Sequence, residues 1–153
     1  MHIATHSRYT IAIFGDLHVD PRDTEHLLEG REHMKATNPD FLVSLGDLGE
    51  SKDCTETKQL YAGTTECFKL VRDYFDGFGV PFDVVGGNHD LEGIDEFDTD
   101  EANLKVFMEL HGKETPQFSR QIAEKTLLVG LGSTVFREAR YTSHEVTVGA
   151  GQG

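Results

Sequence analysis

Phe41-Leu42-Val43-Ser44-Leu45-Gly46-Asp47 is an apolar run of strand character that stops at a glycine and an aspartate. The same grammar occurs upstream, where Tyr9-Thr10-Ile11-Ala12-Ile13-Phe14 meets Gly15-Asp16. It occurs again downstream, where Val80-Pro81-Phe82-Asp83-Val84-Val85 meets Gly86-Gly87-Asn88-His89-Asp90. Between the first two runs, residues 24–37 place Leu27, Leu28, Arg31 and Met34 at helical spacing, although Gly30 weakens that helix by about 1 kcal/mol relative to Ala. Asn38-Pro39-Asp40 closes it. Between the second and third runs, Leu60, Thr64, Cys67, Phe68, Val71, Tyr74, Phe75 and Phe78 follow a three-four rhythm, which predicts a helix from Thr57 to Phe78 with one core-facing stripe, ended by Gly77 and Gly79.

A further helix is predicted from Thr99 to Leu110, with Thr99 as cap, Asp100 and Glu101 in the first turn and Gly112 just past the end. Phe118 to Ile122 and Thr126 to Leu131 then read as a hairpin around Ala123-Glu124-Lys125. Alternation of strands and helices sets the class as α/β. It implies a largely parallel sheet with right-handed crossovers, in which ligands bind at the carboxyl ends of the strands. The three loops that follow the three strands are therefore expected to converge.

The 153 residues carry 14 Lys and Arg against 27 Asp and Glu, a formal charge of −13. Nucleic-acid binders that track the backbone neutralise phosphates with clustered basic residues, so this balance argues against such a partner. Nowhere does an apolar run approach the roughly 20 residues of a membrane-spanning helix, and Met1 to Tyr9 holds no signal-like stretch, so no membrane partner is expected and a cytoplasmic setting is the default. Cys54 and Cys67 are too few for a disulfide framework and lack CxxC spacing, which fits a reducing compartment.

Asp16, His18, Asp47, Asn88 and His89 at one sheet edge would form an oxygen and nitrogen donor set without thiolates, suited to Mn²⁺, Fe or Zn²⁺. Such a set invites two ions, since a carboxylate can bridge metals about 3.5–4 Å apart and paired metals stabilise both oxygens in phosphoryl displacement. In order, and each after a strand, Asp16-x-His18, Gly46-Asp47 and Gly87-Asn88-His89-Asp90 resemble the first three signature blocks of the calcineurin-like metallophosphoesterase superfamily. The resemblance covers roughly residues 9 to 136. It implies that Asp16 and His18 bind one metal, Asp47 bridges two, and Asn88 binds the second. It further implies that His89 is no ligand but stabilises the phosphate or protonates the leaving oxygen, with Asp90 orienting it by a hydrogen bond. The implied reaction is phosphoester hydrolysis by a metal-bridging water, and the implied cofactors are two metal ions of the Mn, Fe or Zn kind.

Family members continue with an isolated His that follows an apolar strand and a Gly-His-x-His; His111 and His144 lack that context, and no Gly-His-x-His occurs in these 153 residues. The expectation drawn from this is the amino-terminal half of an α/β/β/α sandwich. Residues 9–136 would form a partial domain and 137–153 a truncated or flexible end. Three readings follow: a metal-dependent phosphatase or phosphodiesterase incomplete in this chain, a catalytically inactive metal- or phosphate-binding module, and a protein that self-associates through an exposed sheet face. Glu50 and Asp90 argue against the protein Ser/Thr phosphatase branch, and Glu50, where a tyrosine is needed, argues against purple acid phosphatases.

Elsewhere the residues read as ordinary. His2, His6, His26, His33, His111 and His144 are expected to be solvated, and Lys52, Arg137 and Arg140 to be surface charges. Asp98, Asp100 and Glu109 sit at calcium-loop spacing, but Asn103 replaces the required glycine and Ala102 a ligand, so a solvated loop and helix start is expected. Gly149, Gly151 and Gly153 do not follow a strand as a dinucleotide loop must.

Overall fold

The computed structural model describes residues 8–50 and 61–132. The expectations for His2, His6, Lys52, Cys54, residues 57–60, Arg137, Arg140, His144 and the boundary at residue 136 lie outside the described residues.

Three short strands form a parallel sheet in the order β1 (Ile11–Phe14), β2 (Phe41–Ser44), β3 (Phe82–Val84). Ile11 pairs with Phe41, and Leu42 pairs with Phe82. α1 (Thr24–Lys35) connects β1 to β2, and α2 (Thr65–Asp76) lies between β2 and β3. The class is α/β, as the alternation predicts. β2 is central and buried along its whole length, which is why its sequence is continuously apolar up to Ser44.

Side-chain alternation splits the sheet into two faces. Ala12, Leu42 and Val84 point into a core made with Cys67, Phe68, Val71, Tyr74, Phe75 and Phe78 of α2 and its end, and Phe107 of α3 (Asp100–His111) closes it. Phe14 meets the rings of Phe75 and Phe78 edge-on at 5.3 and 5.6 Å. Phe41, Val43 and Asp83 share the opposite face. There the antiparallel hairpin of β4 (Phe118–Ala123) and β5 (Thr126–Gly130) reaches the sheet through Arg120, whose Nε donates to Asp83 Oδ2 at 2.6 Å while its guanidinium lies 4.8 Å from the centre of the Phe41 ring.

Helix boundaries follow local chemistry. α2 starts at Thr65 rather than continuing the predicted stripe back through residue 61, because Gly63 turns at φ +73 and the Thr64 hydroxyl caps the helix by accepting from Cys67 N at 3.2 Å. α3 has the cap expected of it, with Thr99 Oγ1 accepting from Ala102 N and Gly112 left-handed at φ +65. Asp100 is buried at that helix start instead of solvated. His111 is a second correction: it is 8% exposed and packs on Phe68 and Phe107, because it lies one helical turn beyond Phe107 on the buried face.

Candidate metal centre

Beyond their last paired residues the three strands stay joined. Leu45 N donates to Phe14 O at 2.8 Å and Val85 N to Ser44 O at 3.0 Å, so the ladder runs one step past β2 and β3. The loops after β1 and β2 then continue it. His18 N donates to Asp47 O and Val19 N to Leu48 O, both at 2.9 Å, and Glu50 N returns to Val19 O at 3.0 Å.

Two glycines set how closely the loops after β2 and β3 approach. A Cβ on Gly46 would lie 2.1 Å from Gly87 N, and one on Gly87 would lie 2.7 Å from Asp47 N, with the Asp47 carboxylate nearer still. Backbone therefore packs on backbone here, which explains physically why a glycine precedes Asp47 and another precedes Asn88.

This packing brings His18, Asp47 and His89 together, each offering a donor atom within 4.8 Å of the others. The His18 and His89 rings are 5.3 Å apart, centre to centre, with planes at 63°. His89 N donates to Asp47 Oδ1 at 2.9 Å, tying the third loop to the second through the middle member of the trio. Among the described residues this is the one group of three or more His, Cys, Asp or Glu side chains so arranged. Its imidazole and carboxylate donors, free of sulfur, fit a borderline divalent cation. Asp16 sits on the same loop as His18 but is exposed and stands outside the trio. Asn88 is half-buried at the start of a short 3₁₀ turn, His89–Leu91. Asp16, His18 and Asp47 all adopt left-handed backbone, at φ 47, 41 and 51.

The expected hydrogen bond from Asp90 to the His89 ring is corrected by the geometry. Asp90 is 1% exposed and spends both oxygens on backbone: Oδ2 accepts from Asp47 N at 2.9 Å and Gly87 N at 2.8 Å, and Oδ1 accepts from Leu48 N at 2.9 Å. Burial pushes its pKa up to about 7, against the downward pull of those three N–H donors. The carboxylate that meets the imidazole is Glu92, whose Oε2 is 2.8 Å from His89 Nδ1. Burial alone would lower the His89 pKa, but the Glu92 hydrogen bond and charge, helped by Asp47 and Asp90, carry it above its ordinary value. Nothing in the reading of the sequence pointed to Glu92. The available signal was its spacing, because a 3₁₀ turn eclipses side chains at i and i+3.

With the geometry established, comparison with known proteins adds one match. Residues 9–145 fit the family model described as calcineurin-like phosphoesterase. No curated protein matches the chain. No helix among the described residues is long and apolar enough to cross a membrane.

Proposed function

The chain belongs to the calcineurin-like phosphoesterase family, a hydrolytic and metal-dependent one, and on that premise we propose that it is a metal-dependent phosphatase or phosphodiesterase. The observation that carries this reading is the meeting of His18, Asp47 and His89 at the carboxyl edge of a parallel sheet. In this reading Asp16 and His18 would hold one ion, Asp47 would be shared between it and a second, and Asn88 would complete the donors that the described residues supply. Two ions of the Mn, Fe or Zn kind would fit such donors. Bound there, such ions would supply charge neutralisation at the phosphate oxygens and a more acidic water.

The protein's own groups do the rest. His89, held with a carboxylate on Nδ1, keeps Nε2 for the substrate; as the imidazolium it gives its Nε2 proton to the departing oxygen and is left neutral with its remaining proton on Nδ1. Asp90 acts through the backbone, holding the Asp47, Leu48 and Gly87 amides in fixed relation so that the carboxylate and the imidazole stay in register. The phosphoester is the proposed partner, in a cytoplasmic setting, with neither membrane nor nucleic acid. The test is hydrolysis of p-nitrophenyl phosphate and bis-p-nitrophenyl phosphate by the full chain with Mn²⁺, beside a count of ions bound. The expected result is bound metal and turnover that falls at least about 100-fold in Asp47→Asn. Near-native turnover in Asp47→Asn would sink the bridging role of Asp47, and absence of metal-dependent turnover in wild type would refute the enzyme reading and leave the chain as a binding module.

A further inference from the structure

Asp90 is fully committed to the backbone, so the partner of His89 has to be found elsewhere. Glu92 lies three residues on, at the end of the 3₁₀ turn, and its own N–H donates to His89 O at 3.1 Å. A carboxylate only accepts, so its 2.8 Å contact with Nδ1 requires the ring proton to be on Nδ1. Nε2 is then the nitrogen left for the site.

The turn that carries Glu92 is itself fixed from a distant part of the chain. Asn103, on α3 and 1% exposed, accepts from Gly93 N at 3.0 Å through Oδ1 and donates to Gly63 O at 2.7 Å through Nδ2. One side-chain amide thus joins the residue after Glu92 to the turn before α2. The fit is close: a Cβ on Gly93 would lie 2.5 Å from Gly63 O. On the far side of the turn, Glu96 accepts from Thr65 N at 2.9 Å, a second tie to the start of α2.

We infer that Glu92 is the positioning residue for His89, keeping one proton on Nδ1 so that the proton passed to the leaving oxygen is the one on Nε2 and the neutral ring is the Nδ1–H tautomer, and that Asn103 holds Glu92 in place for this task. Neither residue belongs to the three motif blocks. The division of labour follows from accessibility. Glu92 is partly open and can follow the ring, whereas Asp90 is sealed under the backbone it holds. The inference rests on the proposed role of His89 at the leaving oxygen, but its first test does not depend on turnover.

That test is ring ¹⁵N NMR of the metal-free full chain, with His89 assigned by its loss in His89→Asn. In buffer alkaline enough for the ring to be neutral, wild type is expected to show the Nδ1–H pattern. Glu92→Ala should move the ring to the Nε2–H pattern, Glu92→Gln should keep Nδ1–H through its amide oxygen, and Asn103→Ala should give a mixture. An Nε2–H pattern in wild type, or no change in Glu92→Ala, overturns the inference. With Mn²⁺, Glu92→Ala should lower kcat about 10–100-fold for an alkyl phosphoester and much less for a p-nitrophenyl ester, at unchanged KM. Equal losses on both esters would also overturn it. Absence of turnover in wild type would instead sink the proposed function and leave the tautomer result standing.

Discussion

Replacing Gly46 by alanine tests whether the loops after β2 and β3 are packed backbone to backbone. The added Cβ would lie 2.1 Å from Gly87 N, 2.7 Å from Gly87 Cα and 2.8 Å from Gly86 C. All three are main-chain atoms, so no side chain can rotate away, and one loop must move. Overpacking of this kind costs about 1–3 kcal/mol. Gly46 also sits at φ +95, where a side chain adds roughly 1–2 kcal/mol. Together they predict a loss of about 2–5 kcal/mol, or roughly 4–20 °C in melting temperature for a chain of this size. Gly30→Ala is the matched control. It lies inside α1 with nothing within 4 Å of the new Cβ, and should gain about 0.5–1 kcal/mol. Urea and thermal unfolding of the two variants, with Mn²⁺ binding measured beside them, decides the matter. A Gly46→Ala protein as stable as wild type, with unchanged metal affinity, would refute the argument that this glycine sets the spacing of the donors.

Two further outcomes follow from buried polar groups. Neither ring nitrogen of His111 has a hydrogen-bond partner among the described residues, and burial, aided by Arg72 and Lys113, lowers its pKa to about 4 from 6.5. The unfolded chain therefore binds this proton first, and stability fully present above pH 6.5 should fall by roughly 3 kcal/mol as pH drops to about 4. His111→Phe should lose that acid slope while keeping its contacts with Phe68 and Phe107, and an unchanged slope in urea unfolding across the window would count against it. Asn103→Ala should cost about 2–5 kcal/mol, since Gly63 O and Gly93 N lose their partner together. Hydrogen exchange should then quicken first in residues 92–97, and uniform quickening across the chain would contradict a local clamp.

What the sequence conveys about the fold is the repeated apolar run ending in glycine and aspartate, and that pattern survives because β2 is buried on both faces. Where reading fails, the period was right but a local turn interrupted it. Buried Tyr61 and Ala62 extend the apolar character of α2 past its true start, and only Gly63 with the Thr64 cap marks the break. Residue type alone puts His111 in solvent, yet its spacing from Asn103 and Phe107 puts it on one buried stripe with them. Of the site, His18, Asp47 and His89 were legible through motif order, while Glu92 and Asn103 were not, because their contacts depend on a 3₁₀ turn and a distant helix.

The conformations of Asp16, His18 and Asp47 explain how such a site is held. Each lies in left-handed backbone that glycine tolerates better, at roughly 1–2 kcal/mol apiece. Glycine would relieve the strain at His18 and Asp47 but remove the donor, so the cost has to be offset locally. Between the first and second loops the offset comes from backbone, through the bonds that join His18 to Asp47 and Val19 to Leu48. Between the second and third loops the parallel ladder has ended, and among the described residues no backbone bond joins them. Asp90 takes their place, one carboxylate accepting from Asp47, Leu48 and Gly87 where strands would otherwise have paired. It works as a side-chain rung of the sheet, which is why it is buried and turned from His89. A change at Asp90 should therefore disturb Asp47 and His89 together, whereas a change at Glu92 should reach His89 alone.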